Sequence, residues 1–590
     1  MNEEPESWWK KARTGPRYLR LWLILMAATF LVLLTVTQFL PGGRRSFSDW
    51  MQPLLFLFGV SVAAATAFLG VWVVGRWVCR WRILKPVRLV GACLIASIAL
   101  FYAEEDWRGW HAWNQFKHKW EARGERFNLA GVVPPPVPDE QNFAMTPIVF
   151  TSYGQLLTRE GKLIPAEKRD AHFDARMRVP ITVGSAGPTN CAGDRVKGTF
   201  TRLEGWQRYY RDLAGRADAF PVPAQAQSPA ADVLLALSKY DGVIEELRVA
   251  CEMPYSRYPI NYDSESPMMI YLPHLAALKS CAQVLQLRSV AELQNGQVDK
   301  ALEDVRLGLE LADKVRTEPL LISHLVRIAM VQLMLQPVWE GLAAHRWSDA
   351  QLAALEAELA KVDFAAAWRL SMKGELGGQA DELEFLRRHR ERFQELQALI
   401  DFGGNKLQVK LPSGWVVRWM PAGWFYQNEY RCARAMEEFC VPLAGAGRGT
   451  FSPATARRGE AALRAEAAGP FNLFERLILP VLGDAAPKFA CGQASVDLAR
   501  TAIALERCRL ARGAFPDSLD ALAPQFIAKV PHDVIGGEPL KYRREADGAF
   551  VLYSVGWNEK DDDGEAAFNQ DGSVDIQNGD WVWRGKAKAE

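Results

Sequence analysis

The sequence has no disulfide framework. Its nine cysteines are odd in number and scattered from Cys79 to Cys508, whereas disulfide scaffolds crowd cysteines into short chains. Cys432 and Cys440 would share a helix face, but two turns hold them about 12 Å apart, too far to bridge. No CxxC pair or Cys/His cluster has zinc-binding spacing. Gly-x-Ser-x-Gly, a phosphate loop, a dinucleotide fingerprint and HExxH are also missing. Their absence leans the reading away from an enzyme without excluding one. A charge excess is lacking as well, the net charge being +1 over 590 residues. Residues 1–88 hold 12 Lys/Arg against 4 Asp/Glu, a balance of +8, and the remainder holds 58 against 65, a balance of −7. The basic excess lies beside the apolar segments, and no polybasic face is left for nucleic acid.

What is present begins with long apolar runs. Residues 21–40 form an uncharged stretch of 20 residues and 51–74 one of 24, each long enough to span a bilayer. A third segment, 87–102, has an uncharged core of only 14 residues, Leu89–Tyr102. That core covers about 21 Å of a hydrocarbon layer about 30 Å thick, so Arg88 must snorkel for it to span. Basic residues number five in the N-terminal tail, two in the first loop (Arg44, Arg45) and five in the second. This pattern places the tail and second loop in the cytoplasm. A third crossing then puts the large C-terminal region outside it. The expected location is the bacterial inner membrane, multi-pass, with a bilayer as one partner and other envelope proteins as further partners.

Residues 103–129 read as an amphipathic stalk helix. Trp107, Trp110, Trp113, Phe116 and Trp120 share one broad face. Such a face suits the headgroup layer or packs on the soluble part, and the residues leave both open. Residues 130–230 are a Pro-rich linker and a mixed segment. PPPVP favours a semi-rigid spacer, and the loop GSAGPTNCAGDR follows. Cys191 in that loop with His172 as base is a conceivable nucleophilic pair, though a loop cysteine without chemistry fits as well. Residues 231–487 form a helical body. Ser348 with Gln351 makes a capping box. The charged run 375–401 reads as a solvated helix face, and 406–420 as a β-hairpin around Pro412-Ser413-Gly414. His274 and His324 lie on apolar helical stretches and read as satisfied core histidines.

Two resemblances follow from particular residues. SVAELQNGQVDKALEDVRLGLELAD, with Gly296 and Ala301 at small-residue positions, resembles one tetratricopeptide-type hairpin. In residues 488–590, a helix over Val496–Arg512 is stopped by Gly513 and Pro516. Short strands at Leu540–Arg544 and Phe550–Val555 follow, then Tyr553, Ser554, Gly556, Asp562, Gly564, Asp575 and Ile576. This order resembles the head of the type II secretion major pseudopilin. The whole arrangement also resembles large uncharacterised membrane-anchored bacterial proteins. The pseudopilin resemblance implies a small α+β domain and an acidic loop able to hold calcium, with Asp561, Asp563, Asp571 and Asp575 as candidate ligands.

The fold expected is mainly α. It comprises N-terminal transmembrane helices within residues 1–102, an irregular, partly tetratricopeptide-like body, and a small pseudopilin-like α+β domain at the C-terminus. The function expected is that of a membrane-tethered extracytoplasmic interaction or scaffold protein of the bacterial cell envelope. The alternatives are a hydrolase-like envelope enzyme with its site in the helical body, or a component associated with secretion machinery.

Overall fold

The computed structural model describes residues 22–31, 47–78, 81–146, 149–150, 181–184, 187–214, 220–262, 270–393, 414–445, 449–467, 469–546 and 548–587. The protein is mainly helical and divides into two compact units, Met1–Glu104 and Glu105–Glu590.

In the first unit, helix α1 (Trp22–Leu31) packs on α2 (Phe47–Val78). Trp22 Nε1 donates to Thr66 Oγ1 at 3.1 Å, and Phe30 meets Phe58 edge-on with centroids 6.2 Å apart. Helix α3 (Trp81–Glu121) crosses the division without interruption, so the apolar segment and the stalk are one helix of 41 residues. Among the described residues, three helices are long and apolar enough to cross a membrane: Phe58–Gly75 within α2, Pro86–Glu121 within α3, and Leu321–Ala343. The first two expose nearly all of their apolar surface. The third has 67% of its most apolar window buried inside the protein and forms the centre of the core.

The stalk's aromatic face is partly packed against the body and partly exposed. Trp113 is buried; it meets Phe127 edge-on at 5.3 Å, and Phe116 meets Tyr430 at 5.5 Å. Trp107 and Trp110 stay 64% and 50% exposed. The start of the stalk crosses the helix Ala422–Ala435 (α13) at a point where two glycines meet. A Cβ on Gly109 would stand 2.2 Å from the Gly423 carbonyl oxygen, and one on Gly423 would stand 1.9 Å from that of Glu105. Asp106 Oδ1 accepts the Gly423 amide at 2.7 Å. Backbone atoms cannot yield to such contacts, so Gly423→Ala is expected to lower stability by about 1–3 kcal/mol, read from the thermal unfolding midpoint of the full chain.

The body continues with α4 (Leu203–Asp212), α5 (Pro229–Leu237), α6 (Asp241–Cys251), α7 (Pro273–Gln294), α8 (Val298–Asp313), α9 (Leu321–Ala343), α10 (Asp349–Leu359) and α11 (Phe364–Arg388). Short α12 (Gly414–Arg418), α13, α14 (Pro453–Ala465) and the 40-residue α15 (Leu473–Arg512) complete it. Met330, Met334, Leu335, Val338 and Trp339 of α9 are fully buried, as a helix apolar on most faces must be. Asp304 ties three helices together, accepting from Arg288 Nε at 2.7 Å and Arg248 Nη2 at 2.5 Å. The capping box at Ser348 and Gln351 forms as expected.

Several expectations are corrected. Gly296 serves the turn between α7 and α8 through its left-handed φ of +76°, with open space where a Cβ would be, so it is not a close-crossing position. Within α8 a close approach falls on Gly308, against the helix Leu321–Ala343, where a Cβ would stand 2.1 Å from Met334 Sδ. Of the charged run 375–401, residues 394–401 lie outside the described residues; Arg388, Glu391 and Arg392 are exposed, while Leu383, Leu386 and Phe393 are buried in a second core with Phe425 and Leu477. The Pro-rich segment is a strap, not a spacer. Asn142 accepts the Arg257 amide and donates to its carbonyl, both at 2.8 Å, and Phe143 is fully buried. Of the hairpin expected over 406–420, residues 406–413 lie outside the described residues, and the second arm is helix α12. The boundary expected at 488 falls inside α15. All described cysteines are free.

Beyond Gly513, which ends α15 with φ +82°, two small antiparallel sheets form. Strands β1 (Lys541–Arg544), β2 (Phe550–Ser554) and β5 (Trp581–Arg584) lie in the order β1-β2-β5, and β3 (Ala566–Phe568) pairs with β4 (Val574–Gly579). Helix α15 lies against β2, β4 and β5. Trp583 is buried there, and Trp339 Nε1 of α9 donates to the Arg584 carbonyl at 2.9 Å.

Candidate anion-binding site

The loop of residues 187–201 is wedged between α9 and the C-terminal sheets, and a buried carboxylate holds it there. Glu340 Oε1 accepts the Thr201 amide at 3.0 Å, the Thr201 hydroxyl at 2.6 Å and Gln336 Nε2 at 2.9 Å. Gly193 permits the approach, since a Cβ would lie 2.3 Å from Gln336 Nε2. The loop then turns tightly. Asp194 and Thr199 exchange amide–carbonyl hydrogen bonds at 2.9 Å each, and Gly198 takes a φ of +72°. Lys197 fastens the far side, donating to the Gly572 carbonyl at 2.5 Å in the β3–β4 turn and standing 5.2 Å from the Phe568 ring centroid. Glu340→Ala would take the acceptor from the buried Thr201 amide and hydroxyl. Its expected cost is about 1–3 kcal/mol, measured by chemical denaturation of the full chain.

The turn presents Arg195. Its amide donates to Gln336 Oε1 at 2.9 Å, and its guanidinium donates to Gln332 Oε1 and, at 3.0 Å, to Ser495 Oγ. The guanidinium carbon stands 6.0 Å from the Trp583 ring centroid. These groups border a cavity of about 250 Å³ into which Lys488 of α15 also extends. Ile328, Leu498, Val574, Trp581 and Trp583 supply its apolar wall. Among the described residues, neither Arg195 nor Lys488 has a carboxylate within ion-pair distance. Burial draws the Arg195 guanidinium below its ordinary range, while Cys491 and Asp194 act in the opposite sense.

The wall holds two further titratable groups, Cys491 and Asp580, and neither forms an ion pair with these cations. Burial pushes the Cys491 thiol up to about 11, with Arg195 and Ser495 drawing it back only in part, so it is a neutral thiol at pH 7. Asp580 is buried. Its Oδ2 accepts the amides of Gly564 at 2.7 Å and Asp562 at 3.1 Å, and burial pushes it up to about 6. No family model, curated protein or solved structure matches the chain. The cavity's chemistry is therefore that of its own residues.

The residues singled out from the sequence stand elsewhere. Cys191 is buried with its Sγ 3.4 Å from the Thr189 carbonyl, pressed against Gly205, where a Cβ would lie 2.0 Å from that sulfur. His172 lies outside the described residues. His274 Nε2 meets Glu318 Oε1 at 2.6 Å, and Glu318 also accepts from Ser323. The carboxylate thus sits between hydroxyl and imidazole, so the histidine cannot take the serine proton as a base would. His324 differs from expectation: both ring nitrogens are buried without a hydrogen-bond partner among the described residues.

Of the acidic residues, Asp561 and Asp563 share the β2–β3 loop, where Asp561 Oδ1 accepts the Asp563 amide at 3.2 Å and the Tyr553 hydroxyl at 3.0 Å. Asp571 lies in the β3–β4 turn, accepting from the Ser573 hydroxyl at 2.6 Å, and Asp575 lies on β4, accepting from Asn578 at 2.9 Å. Among the described residues no three metal-ligating side chains converge.

The loop that carries Cys191 also carries Arg195. Arg195 lies four positions beyond Cys191, and the signal was the glycine-rich turn chemistry that surrounds it. Lys488, Ser495 and Trp583 carried no local signal.

Proposed function

We propose that this protein is a membrane-tethered binding protein of the bacterial cell envelope, with its large C-terminal region outside the cytoplasm. Its recognition site is the cavity between the helical body and the C-terminal sheets, and it takes a negatively charged group. One observation carries this reading: Arg195 and Lys488 border one cavity, and no carboxylate pairs with either among the described residues. A guanidinium drawn from water and bonded only to neutral acceptors gains most from an anion. The long apolar stretches within α2 (Phe58–Gly75) and α3 (from Pro86) support the tether, and the five, two, five distribution of basic residues supports the orientation.

The test is a thermal-shift series on the full chain in detergent at constant ionic strength, comparing chloride, acetate, sulfate and phosphate. At least one of the latter three should raise the unfolding temperature in the wild type and fail to do so in Lys488→Gln, whose exposed side chain is not needed for folding. Equal unfolding temperatures across the series would refute the reading.

A further inference from the structure

The cavity asks for more than a negative charge. An inorganic ion would satisfy the two cations but leave the tryptophan and aliphatic wall in contact with water. The wall is a substantial part of the site: Trp581 and Trp583 stand on one side, and Ile328 and Leu498 on the other elements that close it. The volume, about 250 Å³, lies below the roughly 300–1,000 Å³ typical of drug-sized pockets, so the occupant is small. Three polar groups offer donors to the cavity, the Arg195 guanidinium, the Lys488 ammonium and the Ser495 hydroxyl; the Asp580 carboxylate also lines it, its Oδ2 taken by the Gly564 and Asp562 amides. A planar guanidinium is matched to a carboxylate, which accepts two parallel N–H bonds. It also stands close to the face of Trp583, so a flat ligand could lie along the same surface.

We propose that the ligand is a small organic carboxylate with an apolar body, its carboxylate held by Arg195 and Lys488 and its body laid against Trp581 and Trp583. The inference rests on the reading of the cavity as an anion site and adds the chemical class of the anion. The Lys488 ammonium, at the exposed rim, draws the carboxylate in. The deeper Arg195 fixes its orientation, itself held by Gln332 and Ser495. The cavity performs no reaction in this account: Cys491 is a protonated thiol at neutral pH, and the bound group keeps all its bonds.

The experiment is titration calorimetry on the full chain in detergent micelles with four probes. Benzoate has the charge and the apolar body, acetate the charge alone, benzamide the body without the charge, and inorganic phosphate a larger charge without the body. Benzoate is expected to bind at least roughly tenfold more tightly than acetate, from burial of its ring. Its margin over benzamide should be similar, from the charge-assisted bonds. Lys488→Gln and, separately, Arg195→Gln should each weaken benzoate roughly tenfold while leaving any benzamide binding unchanged; the first substitution is at an exposed position and keeps the assay valid if the second perturbs the loop. Phosphate or acetate binding as tightly as benzoate would overturn the proposed ligand class and leave the anion site standing. Failure of every anion to bind would overturn both. Benzoate binding unaltered by Lys488→Gln would place it elsewhere and overturn the assignment.

Discussion

Trp583→Ala is expected to lower the stability of the full chain by about 3–5 kcal/mol, the range for deleting a buried aromatic. Trp583 is 1% exposed, and it pairs across the sheet with Leu552, itself fully buried. Its strand continues to Arg584, whose carbonyl accepts from the fully buried Trp339 of α9. The cavity left by alanine would open at the junction of α15, the three-stranded sheet and the 187–201 loop, so the loss should appear as weaker packing of the C-terminal sheets on the body. Urea unfolding followed by tryptophan fluorescence measures it. A loss below about 1 kcal/mol would mean that the sheets are held by other contacts and that Trp583 is not part of one continuous core.

The second large effect is a stability that rises on mild acidification. Burial pushes Glu429 up to about 8 and Glu437 to about 7, with Glu384 and Glu125 respectively adding repulsion, and burial pushes Asp497 and Asp580 to about 6. Unfolded, these carboxyls titrate near their ordinary values of about 4. Between about pH 4 and pH 8 the folded protein therefore holds more protons than the unfolded chain, and stability must fall as pH rises through that window. Each tenfold difference in proton affinity between the folded and unfolded chain is worth about 1.4 kcal/mol. Glu429 alone, 4% exposed with Oε1 lacking a partner among the described residues, would contribute several kcal/mol before relaxation and water entry reduce it. A gain of about 3 kcal/mol between pH 8.5 and pH 5.5 is expected after that discount.

Below about pH 4 the trend reverses. The Arg431 hydrogen bond holds Glu466 below the usual carboxylate range, and groups of that kind lose their contribution as pH falls through their folded values. Glu429→Gln should flatten the upper part of the profile. A stability constant or rising from pH 5.5 to 8.5 would contradict the burial of these carboxyls in charged form.

The sequence made the helices legible wherever side-chain spacing alone decides. Ser348 and Gln351 announced α10, Gly513 announced the end of α15, and the strands expected at Leu540–Arg544 and Phe550–Val555 formed as β1 and β2. Burial was less legible. Residues 380–393 carry so many charges that the buried Leu383 and Leu386 were hidden among them, and only packing against Phe425 and Leu477 reveals that face. The proline-rich strap looked like a spacer because its anchors, Asn142 to Arg257, join positions 115 residues apart. The cavity was illegible for the same reason in stronger form. Arg195, Lys488 and Trp583 are ordinary residues in three distant segments, and only the packing of the loop, α15 and the sheet brings them to the wall of one cavity.

Hydrogen exchange on the full chain in nanodiscs, with and without whichever anion raises the unfolding temperature most, tests the central claim most directly. The account predicts that protection increases over residues 193–201 and over 574–584, on the two sides of the cavity, and stays unchanged on the β2–β3 acidic loop and on α10. Increased protection confined to other segments, or none at all despite a raised unfolding temperature, would contradict the placement of the binding site between the helical body and the C-terminal sheets.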